Sequence, residues 1–158
     1  MIRVRSARRE DVPRMMQVAG HSATAANWNQ EAYTGLFSPG APAGLVTLVI
    51  QEDEVVAGFL VGRNVARDEW EIENVAVAGA ARRRGLGSRL LGEFMDLARQ
   101  RGGKHIFLEV RASNRAAQAL YQKWAFVEAG TRRSYYQDPV EDALILRFTF
   151  PQDGEFAG

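Results

Sequence analysis

The chain has 158 residues, 46% of them hydrophobic and 25% charged, and its 20 Lys+Arg against 19 Asp+Glu leave a net charge of +1. That is enough chain to bury one ordinary core without staples, and the near-balance of charge argues against wholesale nucleic-acid binding. Cysteine is absent, which excludes disulfides, thiolate metal sites and a cysteine acyl-enzyme.

Residues 1–150 are expected to form a single domain, with a small, polar C-terminal tail at 151–158 that frays. No apolar run approaches the ~20 residues of a membrane span, and residues 1–20 lack the apolar core of a signal peptide. A soluble, cytoplasmic protein is therefore expected. The opening Ile2-Arg3-Val4-Arg5 alternates as a strand does. Asp11 ahead of Val12-Pro13 reads as a helix start, a cap followed by an early proline, with Met15, Met16 and Ala19 as its apolar face. Residues 21–29 are polar and small apart from Trp28, and residues 30–37 fit a second short helix with Tyr33, Leu36 and Phe37 inward. Pro39-Gly40-Ala41-Pro42 is a loop. Residues 45–50 and 55–61 read as a hairpin turned at Glu52-Asp53, and residues 63–69 as a longer turn into the next strand.

Next comes Glu71-Ile72-Glu73-Asn74-Val75-Ala76-Val77, which alternates and ends in β-branched residues, the mark of a buried strand. From Gly85 onward, Leu86, Leu90, Leu91, Phe94 and Leu97 fall on one helix face. Between the two lies a turn holding Arg82, Arg83 and Arg84 together with Gly85 and Gly87. A helix's first turn leaves backbone N–H groups without partners and carries the positive end of its dipole. Glycines there let an anion approach those amides, so the turn reads as an anion seat. It also fits a plain helix start with solvated arginines. A P-loop would need Lys-Ser/Thr after the second glycine, and a dinucleotide fingerprint a third glycine; neither is present.

Gly102-Gly103 ends that helix. Residues 104–110 alternate, with Ile106, Leu108 and Val110 on one face and His105, Phe107 and Glu109 on the other. Asn114 can cap the next helix, which places Ala117, Leu120, Tyr121 and Trp124 at packing positions. Residues 126–136 and 142–150 read as a closing antiparallel pair. The order strand, two helices, three strands, helix, strand, helix, two strands gives an α/β class: a mixed, mostly antiparallel sheet with helices on both faces.

Arg82-x-x-Gly85-x-Gly87, directly after the Val75-Ala76-Val77 strand end, resembles the acyl-CoA pyrophosphate loop of the GNAT N-acetyltransferase superfamily. Leu108-Glu109-Val110-Arg111-Ala112-Ser113-Asn114 followed by Ala119-Leu120-Tyr121 resembles its second half. With Tyr135-Tyr136 and Glu141-Asp142-Ala143 added, the pattern is most similar to the branch that acetylates the N-terminal alanine of ribosomal proteins. The close resemblance covers residues 70–147. It implies the GNAT (acyl-CoA N-acyltransferase) fold, in which the fourth and fifth strands part at a bulge, and it implies acetyl-CoA as the donor. On that reading the backbone of Val75, Ala76 and Val77 meets the pantetheine arm. Arg82, Arg83, Arg84, Gly85, Leu86, Gly87 and Ser88 then hold the pyrophosphate, and Asn114 and Tyr121 lie along the arm and the thiolate. Trp28, Tyr33, Asn74, Tyr135 and Tyr136 are the implied acceptor-side residues, and no metal takes part. The implied partner is a protein or peptide N-terminus, a ribosomal protein among the candidates, with no direct nucleic acid and no membrane.

Acetyl transfer to an amine needs that amine neutral. An N-terminal α-amine has a pKa near ~8 against ~10.4 for lysine, so deprotonation at pH 7 costs roughly 1.4 kcal/mol for the first and roughly 4.6 kcal/mol for the second. One carboxylate acting directly or through water suffices for the α-amine. The resemblance makes Glu109 that base and Tyr121 the acid that protonates the thiolate; Glu71 matches the base position of histone-type members, and Glu73 is its neighbour. Each has a structural alternative: charged strand ends for the glutamates, one more packing aromatic for Tyr121, an N-cap for Asn114, and a packed lid for Trp28 and Tyr33. Tyr135 and Tyr136 are adjacent, so both can face one site only if their strand bends. Two departures from the family pattern stand out. Ala125 occupies a place where the family has glycine, which requires it to take a left-handed conformation or the turn to differ. Asn27-Trp28 stands where the branch tends to have Pro-Trp, in the loop that governs acceptor choice. Two other functions compete: a GNAT acetyltransferase of a small-molecule amine, and a non-catalytic acyl-CoA-binding module. Arg132-Arg133 beside the tyrosine pair favours a peptide groove over the acidic pocket a small cation would want.

Overall fold

The opening alternation becomes strand β1 (Ile2–Ser6) of a computed structural model that describes residues 1–22, 24–79 and 85–151. A 3₁₀ turn at Arg9–Asp11 leads into helix α1 (Val12–Ala19) and then α2 (Gln30–Gly35). Strands β2 (Leu45–Glu52), β3 (Val55–Ala66) and β4 (Glu69–Val77) follow as a meander. The remainder is α3 (Leu86–Gln100), β5 (His105–Arg111), α4 (Arg115–Lys123), β6 (Val127–Tyr136) and β7 (Glu141–Thr149). The strands make one seven-stranded sheet in the order β1-β2-β3-β4-β5-β7-β6, antiparallel except at β4–β5. This is the mixed sheet expected. The closing hairpin enters with β7 against β5, which leaves β6 at the edge.

Two local readings change. Residues 63–66 are not a turn: β3 runs on to Ala66 and pairs with Glu69–Glu71, leaving only Arg67 and Asp68 to turn. The polar sequence hid a strand whose end is closed by Asn64, whose amide donates to the carbonyls of Ala66 (2.7 Å) and Glu69 (3.0 Å). Asp11 does not cap α1 with its side chain. Its carboxylate instead accepts both guanidinium nitrogens of Arg5 at 2.9 Å and the Arg8 N–H at 2.7 Å. The Arg5 guanidinium holds the Asp11 carboxyl below its usual range, and the pair pins β1 to the helix that follows it.

Each sheet face has its own core. On one, α3 and α4 set Leu86, Leu90, Phe94, Ala117 and Tyr121 against Leu60, Ile72, Ile106 and Leu108. On the other, Val12, Met15, Val18 and Tyr33 of α1 and α2 cover Val49, Phe59, Val61 and Ala76. Phe94 packs so closely over β3 that a Cβ on Gly62 would fall 2.2 Å from its ring, so only glycine fits that point.

Strand β4 carries the feature that makes a site. Val61 faces Asn74 while Gly62 faces Ile72, so Glu73 is an extra residue, a bulge. Before the bulge Trp70 and Ile72 face the α3 core; after it Val75 and Val77 do, and Ala76 turns to the α1–α2 core. Asn74 turns the same way, reaching Tyr33. On its other edge β4 pairs with β5 only at Glu69, Trp70 and Glu71. Both strands continue, but they part, as the resemblance implies. Ala78 N–H donates to Ala57 C=O at 2.7 Å, so by alternation the amide groups of Val75 and Val77 point into the gap.

Candidate active site

The gap opens into a cavity of about 580 Å³. Glu71, Glu73, Asn74 and Val75 enter it from β4, and Glu109 and Arg111 from β5. Trp28 comes from the loop before α2, Asn114 and Tyr121 from α4 and its cap, and Tyr135 and Tyr136 from the end of β6. Nearly every candidate residue from the distant stretches 24–28, 71–75, 108–121 and 135–137 therefore meets in one place. A second, mainly apolar cavity of about 270 Å³ lies between α3 and α4, lined by Val77, Gly87, Ser88, Leu91, Leu120 and Trp124. The two cavities share Thr24, Val75, Ala117 and Tyr121. Tyr121 thus stands at their junction. It is 5% exposed, and burial pushes its phenol well above the usual range, so it keeps its proton at neutral pH.

Three carboxylates crowd the first cavity. Glu109 sits on the β5 face opposite Ile106, Leu108 and Val110, as the alternation required. Arg132 Nε lies 2.9 Å from its Oε1. The Tyr135 hydroxyl donates to Glu109, and that bond, with burial and the carboxylate's charge, raises the phenol above its ordinary value. Glu73 has Arg63 Nε at 3.4 Å. Glu71 is raised above the usual carboxylate range, chiefly by burial, then by the charges of Glu73 and Glu109.

The bend that the tyrosine pair demanded is present. Arg132 pairs with Ala143 and Tyr136 with Glu141, so three residues of β6 oppose one of β7. Ser134 takes the left-handed conformation (φ 51°), and its N–H donates to Asp142 Oδ1 at 2.8 Å. Tyr136 is backed by Arg111, whose guanidinium carbon is 4.2 Å from the ring centroid and which pairs with Glu141 at 3.3 Å.

Other candidates are placed differently. Tyr33 does not line the cavity: it is 2% exposed, edge-on to Trp28 at 5.3 Å, and receives the Asn74 amide at 3.1 Å. Asn74, also 2% exposed, accepts the Ala26 N–H at 2.8 Å, so it laces the loop before α2 to β4 as well as lining the cavity. Asn114 is an N-cap, its Oδ1 accepting the Ala117 N–H at 3.1 Å, and it faces the cavity too. The Ala76 side chain belongs to the α1–α2 core, and Leu86 is 1% exposed in the α3 core, so each has only backbone to offer a ligand. Gly85 (φ 74°) precedes α3 with no capping side chain, leaving the first-turn N–H groups of Leu86, Gly87 and Ser88 without intrahelical partners. Arg82, Arg83 and Arg84 lie outside the described residues. Sequence reasoning missed Thr24, whose hydroxyl donates to the Val75 carbonyl at 2.8 Å and which touches both cavities. Nothing in its neighbourhood marks it, because the contact is made across the gap.

A parted mixed sheet with a glycine-led helix beneath the gap defines a class of protein, and the chain belongs to the acetyltransferase (GNAT) family, whose model matches residues 9–126. Within it, the chain is similar to the [ribosomal protein bS18]-alanine N-acetyltransferase of Salmonella typhimurium, 36% identical over 86% of this chain and 89% of that one. It is also similar to the N-alpha-acetyltransferase RimI of Mycobacterium tuberculosis, 43% identical over 50% of this chain and 48% of that one. Among solved structures, the ribosomal-protein-S18-alanine N-acetyltransferase of Escherichia coli superimposes with a TM-score of 0.81 at 31% identity, covering 99% of this chain and 98% of that one. Among the described residues no group of three or more His, Cys, Asp or Glu is placed to hold a metal ion. No described helix is long and apolar enough to cross a membrane.

Proposed function

We propose that this chain transfers an acetyl group from acetyl-CoA to the N-terminal α-amine of a protein, with an alanine-initiated ribosomal protein such as bS18 as acceptor. The observation that carries the reading is Tyr121: one buried, protonated phenol shared by a polar cavity holding Glu109 and an apolar cavity beside Gly87 and Ser88. Acetyl-CoA fits the second cavity and the gap, where Val75 and Val77 offer amide groups and the α3 first turn offers N–H donors. When bound, it supplies the acetyl group already activated as a thioester. The chain's own residues do the rest. Trp28, Tyr135 and Tyr136 flank the polar cavity and orient the acceptor's first residues. Glu109 takes the proton from the acceptor's ammonium, which for an α-amine is a modest demand at pH 7. Tyr121 holds a proton at its phenol oxygen, at the junction where a departing thiolate needs one. A ribosomal acceptor places the reaction in the cytoplasm and asks for no direct contact with nucleic acid or membrane.

The test is mass spectrometry of an alanine-initiated bS18 peptide after incubation with acetyl-CoA. One acetyl group on the α-amine, with internal lysines untouched, is the expected product. Acetylation confined to free small amines, or acetyl-CoA binding without any transfer, would overturn the reading.

A further inference from the structure

Of the three cavity carboxylates, two have a guanidinium at hand, Arg63 for Glu73 and Arg132 for Glu109. Glu71 has no ion pair among the described residues. Arg132 does not line the cavity; it reaches Glu109 from outside, on a side chain 56% exposed. Its guanidinium carbon also lies 5.6 Å from the centre of the Tyr135 ring, whose hydroxyl donates to the same carboxylate. The β6 bulge pinned by Ser134 and Asp142 brings both residues to Glu109. Carboxylates crowded together favour taking up a proton, and a proton already held by a base disables it. A guanidinium in an ion pair with one of them at 2.9 Å opposes that and restrains its position.

We propose that Arg132 is a positioning residue for the transfer: it holds the Glu109 carboxylate in place and offsets the negative charge of Glu71 and Glu73 beside it. The inference rests on Glu109 as the base. The groups facing Glu109 are Glu71 and Glu73 from β4, Arg132 from β6, and the neutral phenols of Tyr135 and Tyr136. Two further cations lie close by, Arg111 in the cavity wall over Tyr136 and paired with Glu141, and Arg63 paired with Glu73; Arg132 is the one paired with Glu109.

Steady-state kinetics on Arg132→Gln across pH test this. The variant should lose about tenfold in kcat/KM at pH 7 with acetyl-CoA affinity unchanged, and the acid limb of its profile should move to higher pH. Arg132→Lys, which keeps the charge, should stay within about threefold of the parent. Introduced into Glu71→Gln, the same Arg132→Gln change should cost about threefold or less, because part of the charge it offset is gone. Arg132→Gln within twofold of the parent with an unmoved acid limb, or equal losses in both backgrounds, would overturn the proposal. Glu109→Gln measured alongside separates the two readings. A near-normal Glu109→Gln removes the base itself, whereas an impaired Glu109→Gln beside a normal Arg132→Gln removes only the role of Arg132.

Discussion

Along its β3 edge, β4 is paired from Glu69 to Val77, with the bulge at Glu73 as an interruption; along its β5 edge, pairing stops at Glu71. The paired edge is filled by apolar contact, tight enough that Gly62 leaves no room for a methyl group beneath Phe94. The open edge holds the carboxylates, the tyrosines and the backbone groups turned toward the gap. One strand is therefore frame on one side and site on the other. The frame has to be closely packed because the sheet gives up hydrogen bonds on the other edge, and those groups must find partners in side chains such as Thr24 or in a ligand. Changes on the open edge should cost activity and spare the fold; changes on the paired edge should do the reverse.

The largest effect is expected on the open edge. Glu109→Gln keeps size and hydrogen bonding but accepts no proton, so kcat should fall on the order of 10²-fold or more near neutral pH. The melting temperature should be nearly unchanged, since Glu109 is one of three like charges and its partner Arg132 is half exposed. Part of the loss should return as pH rises past the acceptor's α-amine pKa of ~8, because the amine then deprotonates unaided. A strong, pH-recoverable defect in Glu71→Gln with a near-normal Glu109→Gln would move the base to β4.

Gly62→Ala probes the paired edge. The new methyl group would stand 2.2 Å from Phe94 and 3.2 Å from the Glu71 carbonyl, in a core with no exposed ring to swing aside. Overpacking of this kind costs about 1–3 kcal/mol, a fall of roughly 2–12 °C in Tm for a chain of this size. Thermal unfolding should show that fall, while kcat per folded molecule at low temperature stays within about twofold. A Gly62→Ala protein that keeps its Tm but loses kcat would mean that the two edges are not separable.

Much of this division was legible in the sequence, for reasons that are local. The face of Glu109 follows from alternation within β5, and the glycine turn from the change of period at residue 85. The bend at Tyr135-Tyr136 follows from requiring two neighbours on one face. What was not legible depends on partners. A bulge is defined by the strand opposite, so nothing in Ile72-Glu73-Asn74 announces that Asn74 will turn to Tyr33 and Ala26. Arg132 and Thr24 act through contacts with Glu109 and Val75, far off in the chain. The resemblance puts Tyr33 on the acceptor side, with ordinary packing as its alternative; the burial of its whole side chain one layer back is a property of the assembled core.

Ala125 offers the smallest and most exacting check. It stands where the family has glycine, and it does take the left-handed conformation, with φ 65°. The turn it makes is a complete helix C-cap: Phe126 N–H donates to Tyr121 C=O at 3.1 Å and Ala125 N–H to Gln122 C=O at 3.0 Å. Phe126 then folds back edge-on to the Tyr121 ring at 5.6 Å, so the same turn that ends α4 supports the shared phenol from behind. A left-handed residue with a Cβ is strained by about 1 kcal/mol or slightly more, and glycine returns part of that gain through the greater freedom of its unfolded chain. The methyl group is exposed, so little packing is lost with it. Ala125→Gly should therefore stabilise the protein by about 0.5–1 kcal/mol, a rise of roughly 1–4 °C in Tm, with kcat unchanged because Tyr121 keeps both its carbonyl partners and its ring contact. A lower Tm would show that the alanine carries a contact the turn depends on. An altered kcat at equal stability would show that the strain itself positions Tyr121, and the paired frame would then extend one turn further into the site than the strands do.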